Sequence, residues 1–78
     1  MSKIAETTAT NLLAVFAGQT VTMDALIAQM EMVYAINNKR MAVGSFFKVD
    51  DILEANGVVS RYSGLNCTGT RYSTFPAN

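Results

Sequence analysis

Two Arg-Tyr pairs, Arg61-Tyr62 and Arg71-Tyr72, fall within one short stretch that reads SRYSGLNCTGTRYS. A guanidinium keeps its charge at any physiological pH and offers a planar fork of N–H donors that suits phosphate or carboxylate oxygens. The chain has six basic residues in all, so a matched pair of arginines is a notable share of its cationic chemistry. The segments around them are rich in β-branched and aromatic residues and the loop between them is small and polar, as in a β-hairpin. If Arg61 faces Arg71, the loop centres on Asn66, with Gly64 and Gly69 near corners where positive φ is expected. Tyr62 then opposes Thr70, Ser60 opposes Tyr72, and alternation sends both arginines to one face. Like charges directly opposite each other are mildly destabilising. Such a hairpin either lies open to solvent, where the arginines keep its edge soluble, or holds an anion. A register slip of one residue would move the arginines to diagonal positions.

Little else in the chain could do chemistry. It lacks histidine, the commonest general base and metal ligand, and its one cysteine, Cys67, cannot build a thiolate site. Asp50 and Asp51 are adjacent, so on a helix their carboxylates diverge by about 100°. Asn66-Cys67-Thr68 matches the glycosylation acceptor pattern, but no secretory leader accompanies it. No phosphate-cradling glycine pattern is present. The expectation is a protein without catalytic residues, metal or cofactor.

Half the residues are hydrophobic and 15 % are charged, a composition that folds. Formal charge is zero, which argues against a general nucleic-acid glue. The zero conceals an asymmetry. Residues 1–38 set Lys3 against Glu6, Asp24 and Glu31, whereas residues 39–78 set five basic residues against Asp50, Asp51 and Glu54. An anionic partner should therefore meet the second half. The longest apolar run, residues 12–17, is far short of the ~20 residues of a membrane span. With one cysteine and no leader, the expected setting is soluble and cytoplasmic.

Hydrophobic spacing predicts a first helix through Ile4, Leu12, Leu13 and Phe16, with Ser2 as N-cap and Gly18 as its stop. A short strand follows at Gln19-Thr20-Val21. Thr22 caps a second helix striped by Met23, Leu26, Ile27, Met30, Val33 and Tyr34, and Asn37-Asn38 end it. Lys39 to Val43 read as a turn or helix. Gly44-Ser45 cap a third helix that presents Phe46, Val49, Ile52 and Leu53 and closes at Asn56-Gly57. Two strands complete the chain, which is expected to be a single domain over 1–78.

The segment VDDILEANGVVSRYSGLNCTGTRYSTF resembles the recognition-helix-and-wing half of the winged helix-turn-helix superfamily. The resemblance lies in Leu53-Glu54-Ala55-Asn56-Gly57, the strand Val58-Val59-Ser60-Arg61, the glycine-bearing turn and the returning strand. It implies an α+β fold of three helices with a small antiparallel sheet, the short strand pairing with a C-terminal β-hairpin wing over 58–75 and a tail at 76–78. Two features depart from the usual pattern. The span 22–57 is several residues longer, and Asp50, Asp51 and Glu54 follow Lys48 on the presumed recognition helix.

By that resemblance the chain would be a small DNA-binding regulator of transcription or replication. Lys39, Arg40, Ser45 and Lys48 would approach the major groove and its phosphates. Arg61 and Arg71 would grip phosphates or enter the minor groove, with neutral contacts from Ser63, Thr68 and Thr70. Met41, Val43, Phe46 and Phe47 form an apolar cluster that suits a homodimer or partner surface, since only one of two adjacent helical phenylalanines can face the core fully. The alternative is a small viral or plasmid-borne inhibitor or adaptor that uses the same fold to bind a protein.

Overall fold

The computed structural model describes residues 3–63 and 69–77. Within them lie three helices, α1 (Lys3–Val15), α2 (Met23–Ile36) and α3 (Val43–Ala55), and three strands, β1 (Thr20–Thr22), β2 (Val59–Tyr62) and β3 (Arg71–Thr74). The fold is α+β, with three helices beside a three-stranded antiparallel sheet ordered β1-β3-β2. Ser2, Gly64, Asn66, Cys67 and Thr68, each given a part in the sequence reading, lie outside the described residues.

Local chemistry accounts for the element ends. Thr22 is the N-cap of α2, in extended conformation, and its hydroxyl accepts from the Ala25 N–H at 3.2 Å. The C-caps of α2 and α3 are both asparagine. Asn37 Nδ2 donates to the Val33 carbonyl at 2.8 Å and Asn56 Nδ2 to the Ile52 carbonyl at 2.7 Å. The next residue turns left-handed in each case, Asn38 at φ 57° and Gly57 at φ 94°. One expectation fails here: α3 begins at Val43 rather than being capped by Gly44-Ser45. Its N-cap is Ala42, extended and without a side-chain bond, while the Ser45 and Phe46 N–H groups donate to the Ala42 carbonyl. The departures in length resolve as a 14-residue α2 and a six-residue connection, 37–42.

The core joins all three helices to one face of the sheet. Leu12, Leu26, Met30, Val49, Leu53 and Phe75 are almost wholly buried, with Val58 and Tyr34 beside them. Each such side chain contributes about 1.5–3 kcal/mol by leaving water. Thr8, also buried, satisfies its hydroxyl by donating to the Ile4 carbonyl at 2.6 Å, so this threonine is tolerated within α1. The end of the chain is more tightly held than a free tail. Phe75 packs on Phe16 with ring centroids 5.4 Å apart, its N–H donates to the Gln19 carbonyl, and the Pro76 carbonyl accepts from Gly18 N–H.

The hairpin register differs by one residue from the arrangement that pairs the two arginines. Arg61 lies opposite Tyr72, Tyr62 opposite Arg71, and Ser60 opposite Ser73. The cause is the core. Val58 and Phe75 are both buried and must share the inner face. Their positions differ in parity, so in an antiparallel pair only a register whose partner numbers sum to an odd value puts them on the same side. Arg61 and Arg71 share parity, and that register sends them to opposite faces. They are therefore neither paired nor diagonal.

Candidate functional site

On the inner face, Arg71 reaches α3. Its Nη2 donates to Asp50 Oδ1 at 2.5 Å and to Ser60 Oγ at 2.7 Å, and its guanidinium carbon lies 5.8 Å from the centroid of the Phe46 ring. The Arg71 and Asp50 side chains are 11 % and 20 % exposed, so water screens the pair only in part. A guanidinium so engaged has its charge answered within the molecule. Arg71 is accordingly a strut between hairpin and helix on the face opposite Arg61, which corrects the expectation that the two arginines project from one face.

Arg61, by contrast, is exposed on the outer face with Val59 and Thr74. Lys48 is exposed on α3, and Lys39 and Arg40 are exposed on the connection between α2 and α3. Among the described residues the only ion pair is that of Arg71 with Asp50. Ser45 is half-buried in the first turn of α3. Thr70 is exposed, and its carbonyl accepts from the Ser63 N–H at 3.0 Å, extending the ladder beyond β2 and β3. The exposed side of α3 thus mixes Phe47 and Lys48 with Asp51 and Glu54.

A second surface forms where α3 begins. Met23 and Ile27 of α2, Met41 and Ala42 of the connection, and Val43, Phe46 and Phe47 of α3 line an open apolar groove of ≈ 340 Å³. All four residues of the expected apolar cluster are among them. The two phenylalanines divide as helical geometry requires: Phe46 is 9 % exposed and part of the core, whereas Phe47 is 57 % exposed. Their rings meet edge to face at 5.7 Å. Phe46 thus serves core and groove together and is not a free contact residue. Val43 is 74 % exposed at the rim.

Three participants, Asp50, Met23 and Ile27, were not legible as site residues in the sequence. Asp50 read as a solvated carboxylate, although its place one turn after Phe46 on the core side of α3 was a usable sign. Met23 and Ile27 read as ordinary members of the α2 stripe.

No protein-family model, curated protein or solved structure matches the chain. No helix among the described residues is long and apolar enough to cross a membrane, and none of those residues form a cluster able to hold a metal ion.

Proposed function

We propose that the chain is a small cytoplasmic binding module of winged-helix layout that acts by docking a protein partner at the α3 groove rather than by catalysis. The element order and the β1-β3-β2 sheet support the winged-helix layout. The observation that carries the docking reading is the groove itself. It sets exposed Val43 and Phe47 at the start of α3, where a DNA reader would offer polar side chains to base edges. Loss of Arg71 to Asp50, and the presence of Asp51 and Glu54 beyond Lys48, reduce what the same helix can offer a phosphate backbone. An apolar segment of a partner, anchored by an aromatic or aliphatic side chain, fits such a surface.

A second reading, duplex DNA, is favoured by one observation: Lys48 and Arg61 are exposed, and no ion pair is described for either among the described residues. Capture from the native host, with and without nuclease, separates the readings. On the docking reading, Phe47→Asp abolishes capture, nuclease leaves it intact, and Lys48→Ala with Arg61→Ala changes it little. Capture that nuclease abolishes, together with duplex binding that weakens steeply as salt rises, would overturn it in favour of DNA.

A further inference from the structure

We propose that a cavity between the start of α1 and the end of α2 binds a small anion bearing two phosphoryl groups. Lys3, Ile4 and Thr7 of α1, with Asn37 and Lys39 just beyond α2, line an open cavity of ≈ 470 Å³. Small-ligand sites span about 300–1,000 Å³. The cavity is distinct from the groove, which Met23 and Ile27 border near the other end of α2. That helix has 14 residues and is about 21 Å long, so the two sites do not overlap.

Charge gives the sign of the ligand. Lys3 and Lys39 are far apart in sequence, yet the fold brings both to one space. Among the described residues no carboxylate lines that space, and neither lysine is in an ion pair. Glu6, on the same turn of α1, is exposed and is not part of the lining. Two like charges at one cavity repel each other, and an anion seated between them replaces that repulsion with two attractions.

Helix stability accounts for neither lysine. Lys3 stands in the first turn of α1, where the helix dipole disfavours a cation. Lys39 follows the end of α2, where a cation suits the last carbonyls, but those of Val33, Tyr34 and Ala35 are already engaged. They accept from the backbone N–H groups of Asn37, Asn38 and Lys39 and from Asn37 Nδ2. The Lys39 ammonium is thereby left to the cavity.

The remaining side chains narrow the class. An ammonium is a compact point donor that suits phosphoryl oxygens, and two of them match two phosphoryl groups. Thr7 is exposed and adds a neutral hydroxyl donor. Half-buried Ile4 supplies an apolar patch for a short carbon skeleton joining the phosphoryl groups.

The test is a titration of the isotope-labelled full chain with inorganic pyrophosphate at constant ionic strength, followed by amide NMR. Pyrophosphate is expected to saturate with a dissociation constant of about 1 mM or below, and to bind at least about tenfold tighter than inorganic phosphate. The amides that move should be those of residues 3–7 and 37–39. Lys3→Ala and Lys39→Ala should each weaken binding at least about fivefold with the circular dichroism spectrum unchanged, whereas Lys48→Ala should change it less than about twofold. Absence of saturation by roughly 20 mM pyrophosphate would overturn the proposal. So would a loss in Lys48→Ala equal to that in Lys3→Ala, which marks general attraction to positive charge. Vesicles of anionic phospholipid present the same phosphoryl chemistry on a surface. Binding to them through Lys3 and Lys39, without binding of pyrophosphate, would overturn the small soluble ligand in favour of a lipid headgroup.

Discussion

Removing Asp50 should reveal how firmly the hairpin is tied to α3. Asp50→Ala leaves the Arg71 guanidinium largely shielded from water with no countercharge. Hydrogen bonds to charged groups contribute about 1.5–3 kcal/mol, and taking one partner from a fully buried pair costs about 3–5 kcal/mol. The exposure that remains lowers this figure, as do the Ser60 bond and the Phe46 ring that Arg71 keeps. Alanine also favours the helix by a few tenths of a kcal/mol. A net loss of about 2 kcal/mol is expected, which for a chain of this size lowers Tm by about 10 °C. The assay is urea unfolding followed by circular dichroism, run as a double-mutant cycle with Arg71→Leu. In the Arg71→Leu background Asp50→Ala should cost less than about 0.5 kcal/mol, leaving a coupling of about 1.5 kcal/mol. Because the pair is shielded, most of that coupling should survive at roughly 0.5 M salt. Coupling below about 0.3 kcal/mol would mean that Arg71 is solvated, and the inward-facing register would be refuted with it.

Two further changes probe the register and the closing turns. Ser73 lies on the central strand at 1 % exposure, and its hydroxyl has no hydrogen-bond partner among the described residues. Ser73→Ala should therefore raise stability by about 1 kcal/mol in the same unfolding assay, and a loss of that size would show the hydroxyl to be satisfied. Gly57 holds φ 94°, and a Cβ there would meet Pro76 Cγ only at an ordinary 3.8 Å. Gly57→Ala should cost about 1–2 kcal/mol from backbone strain alone. The core substitution Leu53→Ala should cost more, about 2–5 kcal/mol, and the order of the two losses checks the assignment.

The elements of this protein were readable one residue at a time. Thr22 before an apolar stripe, Asn37 and Asn56 after one, and glycines at 18 and 57 set ends that depend on local hydrogen bonds and backbone freedom, which neighbours in sequence supply. The hairpin register was also present in the sequence, but in Val58 and Phe75 rather than in the Arg-Tyr echo. Burying apolar area favours the observed register and the mild repulsion of opposed arginines disfavours the other, so the parity of the hydrophobic residues governs the faces.

What the tertiary structure alone decided is how distant groups share space. Arg71 is 21 residues from Asp50, and no local rule joins them; packing of the sheet's inner face on α3 does. The division of Phe46 from Phe47 likewise depends on how α3 is rotated against the rest of the core. Periodicity can say that one of two adjacent rings must turn outward, but only the packed neighbours determine which. The same packing turned an arginine expected to reach for a partner into an internal tie, and left exposed apolar chemistry at the groove where α3 begins.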